Sequence, residues 1–171
     1  MMERWAIIAV LAMLMLTKGD TVRINRATLE KIRREYGGII RKYSALYGVP
    51  EDLITSIIYV ESRGNPYAES LIGASGLMQV WWPAALQVGE IRKKEDWHPR
   101  DFFDPDRNIR TGVQYLAYLR DWFYKKHGRF PTIKEWARMY NGGNFGYKKP
   151  TTEPYGRMVV AAMSNMKPEP A

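Results

Sequence analysis

A chain of 171 residues is long enough to bury one core and short for two, so a single domain is expected. At 46% hydrophobic and 26% charged residues its composition is globular, which excludes a fibrous or wholly disordered chain. Lysine and arginine outnumber aspartate and glutamate by 26 to 18, a balance that draws polyanions (nucleic acid, anionic lipid, wall polymers) without choosing among them.

Cysteine is absent, which excludes disulfides, thiolate metal sites and a lipid-anchoring thiol near the start. His98 and His127 lie far apart with no ligand spacing, so neither a metal nor any other cofactor is expected.

In chain order, residues 5–16 (WAIIAVLAMLML) form an uncharged apolar run. It is shorter than the roughly 20 residues of a membrane span and suits the hydrophobic region of an export signal. Glu3 beside Arg4 leaves little positive bias before it, and nothing like Ala-x-Ala follows before Lys18 and Asp20. Residues 1–20 are therefore read as an export signal or a retained N-terminal anchor, with an ordinary buried helix as the plain alternative. The expected location is outside the cytoplasm, periplasmic or associated with the cell envelope, with membrane attachment through this segment left open.

From Thr28 to Tyr47 apolar residues recur every three or four positions, which predicts a helix with a weak point at Gly37-Gly38 and an end at Gly48. The basic residues between Arg23 and Lys42 form its wet face. Residues 21–47 are expected to pack as an N-terminal helix on a domain formed by residues 48–165. Pro50 suits a first helical turn, Glu51 and Asp52 complement the helix dipole, and Leu53, Ile54, Ile57 and Ile58 form a stripe running toward Glu61.

Between Ser62 and Gly76 the Gly, Asn, Pro and Ser content rules out a long regular element. Leu77 to Val88 reads as a short helix interrupted near Pro83, and residues 89–107 as a charged surface loop. Asn108 then reads as the cap of a helix carrying Val113, Leu116, Leu119 and Phe123 on one face, closed by Lys125, Lys126, His127 and Gly128. Asp104 or Asp106 is expected to cap or brace the same helix. Thr132 with Glu135 makes a capping box ahead of Trp136, Met139 and Tyr140, and Asn141-Gly142-Gly143 stops that helix. A loop through Pro150 and Pro154, a last helix from Tyr155 to Met163 and a tail over residues 166–171 complete the chain. No repeat is visible and alternating strand patterns are scarce, so the domain is mostly α.

Glu61 follows Ile58 by three residues and Ile57 by four, which puts a carboxylate on the apolar side of its helix. Burial and the negative end of the helix dipole both disfavour its charged form, so it would hold a proton near neutral pH, as a general acid must. Periodicity alone also fits, and by itself favours, a Glu that ends its helix at the surface. The glycine-rich segment that follows lets backbone approach a ligand, with Ser70 and Gln79 as hydrogen-bonding groups nearby.

Glu61-Ser62, Asn65-Pro66, Ala68, Ser70, Gly73-Ala74 and Gly76-Leu77-Met78-Gln79 resemble the signature of the soluble lytic transglycosylase catalytic domain, related to goose-type lysozyme. Asp104-Pro105, Asn108-Ile109, Gly112, Tyr115-Leu116 and Leu119 resemble its second motif, Tyr140-Asn141-Gly142-Gly143 its Tyr-Asn-Ala-Gly motif, and Tyr155 and Val159 its closing helix. The resemblance covers about Tyr47 to Ala162 in the family's order. It implies a lysozyme-like single domain with a substrate cleft, in which Glu61 is the sole catalytic carboxylate. That residue would protonate the oxygen joining N-acetylmuramic acid to N-acetylglucosamine in peptidoglycan, then act as base toward the muramic C6 hydroxyl, leaving a 1,6-anhydro end. It further implies that Ser70 and Gln79 contact the sugar or its peptide, that Tyr140 and Asn141 define the cleft beside the acid, and that Tyr155 hydrogen-bonds near the reaction centre. For Tyr140 and Tyr155 the plain alternative is core packing.

A nucleophile tethered within the substrate removes the need for a second carboxylate, which most glycosidases require. Glu69, Glu90, Glu95, Asp96, Asp101, Asp104 and Asp106 are available by position, yet none lies in a pattern that marks a base. Three positions depart from the family pattern: Trp81-Trp82-Pro83 stand where Met-Pro is usual, Gly142 replaces the alanine, and Thr151-Thr152 replace Glu-Thr. Two other functions are compatible with the residues: a hydrolytic muramidase of the same fold, and a non-catalytic wall-binding module in an envelope-spanning secretion, conjugation or phage machine. No nucleic-acid motif accompanies the basic residues, so nucleic acid is not an expected partner.

Overall fold

The computed structural model describes residues 23–166, so the apolar run at the start and the last residues of the tail lie outside the described part. Helix α1 spans Arg26–Tyr47 and buries Leu29, Ile32, Ile40 and Tyr43 along one stripe. Asn25 caps its start by accepting from the Thr28 amide, and Gly48, at φ 64°, closes it by donating to the Ser44 carbonyl. The Gly37-Gly38 pair does not interrupt it; both glycines face open space, and packing on either side holds the turn.

Helix α2, Glu51–Ser62, is buried from Leu53 through Tyr59 without a break. A helix apolar all round belongs in the middle of a fold. Here α1 packs on α2 and the last helix packs on it as well. Two isolated antiparallel bridges, Glu69 with Ser75 and Ser75 with Val80, pin the segment after it. No strand is named among the described residues, in keeping with the mostly α expectation.

Helix α3 covers only Trp82–Gln87, and Pro83 stands in its first turn rather than breaking it. A first-turn residue has no intrahelical acceptor for its N–H, so proline loses nothing there. The stretch read as a surface loop also differs. It holds two 3₁₀ turns, Lys94–Asp96 and Pro99–Phe103. Phe102 and Ile91 lie in the core. Glu90 ties the stretch to the next helix, accepting from Arg107 Nε at 2.8 Å and Arg110 Nη2 at 3.0 Å. A charged composition hid two apolar anchors.

Helix α4 spans Pro105–His127, and its cap is Asp104, which accepts from the Arg107 amide at 2.7 Å. Asn108 is therefore inside the helix and completely buried, not its cap. Proline at the first position after an acceptor side chain moves the cap from Asn108 to Asp104, four residues earlier than expected. Asp106 braces α1, accepting from Tyr43 Oη at 2.6 Å and Lys42 Nζ at 3.0 Å. Lys125, Lys126 and His127 fill its last turn before Gly128, as the sequence predicts.

Helix α5, Ile133–Gly142, opens on the Thr132–Glu135 capping box and locks to α4 through Trp136 Nε1, which donates to the Leu116 carbonyl at 2.8 Å. Helix α6, Glu153–Ser164, starts two residues earlier than expected, with Pro154 in its first turn. It buries Tyr155, Val159 and Ala162 against α2 and α5.

Candidate active site

Glu61 occupies the last turn of α2, where the chain leaves the helix through Arg63 in the left-handed region at φ 57°. Glu61 is half-buried and still reaches solvent. Tyr155, fully buried on α6, donates from Oη to Glu61 Oε1 at 2.8 Å. Loss of water around the carboxyl pushes its pKa from 4.5 to about 7, with the Tyr155 hydrogen bond pulling more weakly in the other direction. A group poised there is charged and neutral in comparable amounts at neutral pH, so it can give a proton and take one back.

Tyr140 approaches from α5. Its hydroxyl donates to the Met78 carbonyl at 2.8 Å. Burial, then the nearby Glu61 charge, raise both tyrosines far above their usual range, so they remain neutral donors. The ends of α2, α5 and α6 thus bring Glu61, Tyr140 and Tyr155 together across a wide sequence separation. Asn141 stands beside Tyr140 in the last turn of α5, half-buried.

The glycine-rich segment is a braced loop. Ser62 Oγ donates to the Leu77 carbonyl at 2.8 Å, holding the loop to the end of α2. Ser70 Oγ accepts from the Ala74 amide at 2.9 Å. Gln79, at φ 46°, donates from Nε2 to the carbonyls of Ala68 at 2.9 Å and Gly76 at 3.1 Å. Ser70 and Gln79 therefore shape the loop beside the acid, and neither is hydrogen-bonded to Glu61, Tyr140 or Tyr155.

The residue that sequence reasoning misplaced is the centre of this bracing. Asn108 accepts from the Met78 amide at 2.8 Å and donates to the carbonyls of Ser75 and Phe102, each at 2.8 Å. The Asp104-Pro105 pair was the available signal, since a cap there puts Asn108 one turn inside the helix. Gly76, at φ 74°, lies so close that an added Cβ would sit 2.2 Å from both Asn108 Nδ2 and the Phe102 carbonyl oxygen.

Among the described residues no second carboxylate is hydrogen-bonded to Glu61, whose partner is Tyr155. Glu90, Asp96, Asp101, Asp104 and Asp106 are committed to ion pairs or caps elsewhere. Among the described residues no other carboxylate contributes to the shift at Glu61. Trp81 and Trp82 form an edge-to-face pair with ring centres 5.6 Å apart just after Gln79. Thr152 is buried and donates to the Gly146 carbonyl at 2.6 Å, so it builds the turn before α6. A hollow lined by Gly48, Arg120, Asp121, Phe130, Pro131 and Trp136 contains none of the site residues.

Residues 38–157 match the family described as the transglycosylase SLT domain. The chain is 39% identical over 127 residues to the membrane-bound lytic murein transglycosylase C of Sodalis glossinidius, covering 72% of this chain and 35% of that protein. The protein of the same name from Pectobacterium atrosepticum is 35% identical over 152 residues, covering 86% of this chain and 42% of that one. The matched stretch is thus well under half the length of these relatives. Among solved structures, the 70 kDa soluble lytic transglycosylase SLT70 from Escherichia coli superposes with a TM-score of 0.62 at 23% identity, covering 81% of this chain and 25% of that one. The complex of the 70-kDa soluble lytic transglycosylase with bulgecin A gives the same TM-score. At that identity the likeness establishes the fold, the lysozyme-like architecture expected from the motifs.

Proposed function

The chain belongs to the transglycosylase SLT domain family, and on that premise we propose that it is a peptidoglycan lytic transglycosylase with Glu61 as its catalytic acid and base. The neutral carboxyl gives its proton to the glycosidic oxygen between N-acetylmuramic acid and N-acetylglucosamine, the C1–O bond breaks, and the leaving sugar departs with that proton as its hydroxyl hydrogen. The resulting carboxylate takes the proton of the muramic C6 hydroxyl as its oxygen bonds to C1. Glu61 ends protonated, no water is consumed, and the product carries a 1,6-anhydro ring.

The observation that carries this reading is a solitary carboxyl with its pKa raised to about 7 at the end of a buried helix. An intramolecular nucleophile makes a second carboxylate unnecessary. In this reading Tyr155 steadies the carboxylate at the moment it forms, and Tyr140, Asn141 and the loop braced by Ser70 and Gln79 receive the sugar and its peptide.

Digestion of purified sacculi tests it. The wild-type protein is expected to release fragments lighter by one water than hydrolysed ones, and Glu61→Gln to release none. Hydrolysed ends would make it a muramidase, and wall binding with no soluble fragments from the wild type would make it a binding module. The names of the relatives, membrane-bound lytic murein transglycosylase C, support a place at the cell envelope. Residues 1–20 are proposed as the export signal or anchor. Among the described residues no helix is long and apolar enough to cross a membrane.

A further inference from the structure

Two groups of aromatic rings, Tyr140 with Tyr115 and Tyr118, then Trp122 with Phe145, lie along α4 from the Glu61 site. Tyr140, whose hydroxyl feels the Glu61 charge, lies with its ring centre 5.8 Å from that of Tyr115. Tyr115 stacks on Tyr118 with ring centres 6.0 Å apart. Tyr115, Tyr118 and Trp122 are spaced by three and four residues, one face of a helix. Alongside runs the segment after α5. Asn144 Nδ2 donates to Tyr118 Oη at 3.0 Å. Phe145, half exposed, meets Trp122 edge-to-face with ring centres 5.1 Å apart.

The tract packs on the outside of the core and is only partly covered by it. The buried face of α4 uses Ile109, Val113, Leu116 and Phe123, whereas Tyr115, Tyr118 and Trp122 all keep contact with solvent. At the far end Lys126 places its ammonium 5.3 Å from the Trp122 ring centre and 4.8 Å from that of Phe145. Flat apolar faces, interleaved with an amide and an ammonium at the rim, suit a ring with one apolar face and a hydroxylated edge. A sugar has that chemistry. Seven residues from Tyr115 to Trp122 extend about 10 Å along the helix, enough for more than one sugar ring.

We propose that Tyr118, Trp122, Phe145, Asn144 and Lys126 form an accessory glycan subsite that holds sugar rings of the strand beyond those bound at Glu61. The inference rests on the substrate class given under Proposed function and adds where, along the molecule, the rest of the strand lies. Its consequence is length selectivity: a short fragment fills only the sites at Glu61, and a longer strand gains the stacking of the tract.

Binding measured by calorimetry in a Glu61→Gln background tests it, because the strands then survive the measurement. The probes are peptide-free glycan strands of one and of four disaccharide units. Phe145→Ala, a change at a half-exposed ring, and Trp122→Leu are each expected to weaken the long strand about tenfold, the loss of one stacking contact, and to leave the short one unchanged. Phe130→Ala, an exposed ring outside the tract, should leave both affinities alone. Equal weakening of both probes, or no weakening of the long strand, overturns the subsite while Glu61-dependent cleavage of sacculi still stands. Failure of the parent protein to bind either strand overturns the subsite together with the substrate class.

Discussion

Tyr155 Oη lies 2.8 Å from Glu61 Oε1, joining a buried side chain of α6 to a carboxyl at the end of α2. The bond opposes the effect of burial. It stabilises the carboxylate without adding a charge, so Glu61 is held near neutrality rather than pushed far above it.

Tyr155→Phe removes the donor and leaves the ring. A hydrogen bond of net worth about 1 kcal/mol corresponds to somewhat less than one pKa step, so Glu61 should titrate above its present value of about 7. The alkaline limb of the pH profile for sacculus cleavage is expected to move upward, with a lower rate because the developing carboxylate loses its partner. A profile that does not move would show that the bond has no hold on the proton.

Glu61 also costs stability where it is ionised. Its folded pKa of about 7 exceeds the ordinary 4.5, so between those values the folded state holds a proton that the unfolded chain has released. Stability from this group is therefore complete below about pH 4.5 and declines as pH rises through about 7, by at most about 3 kcal/mol and by less to the extent that the group still reaches water. Glu61→Gln should be clearly more stable than the wild type at pH 8 and close to it at pH 4. Urea unfolding at the two pH values reads the difference.

Asn108→Ala should loosen the loop without unfolding the helices. It strands the Met78 amide and the Ser75 and Phe102 carbonyls in a buried setting, at a cost of about 1–3 kcal/mol for each group that water does not rescue. Hydrogen exchange should show the Met78 amide losing protection while the amides of α1 keep theirs, with cleavage falling alongside.

Gly76→Ala should be more damaging than its size suggests. The new Cβ would meet the Phe102 carbonyl oxygen and Asn108 Nδ2 at 2.2 Å, and the φ of 74° is strained for any residue with a side chain. A loss of several kcal/mol in thermal or urea unfolding is expected from backbone strain and the broken Asn108 contacts together. Gly37→Ala, in a helix with nothing within 4 Å of the added methyl, should stabilise by a few tenths to 1 kcal/mol.

The elements legible in the sequence share a feature. The Thr132–Glu135 box, the Lys-Lys-His-Gly ending of α4, the Gly48 stop of α1 and the stripe leading to Glu61 are built from residues within a turn or two of each other. The misreadings share one too. Phe102 sits among charges that outvote it in any window, yet a single ring reaches the core. Asn108 has the chemistry of a cap and equally the chemistry of a buried bracket, and only the neighbours across the fold choose between them.

The sequence by itself determined a mostly α domain, the order of its motifs and a lone carboxylate on the apolar side of a helix, because caps and periodicity are short-range and survive in a linear text. Tertiary structure decided what that carboxylate is. Its proton depends on the water excluded around it and on a tyrosine 94 residues away. The loop beside it is held by an asparagine 30 residues further along the chain. Solvation and long-range hydrogen bonds are sums over everything that surrounds an atom, and that surrounding exists only once the helices have packed.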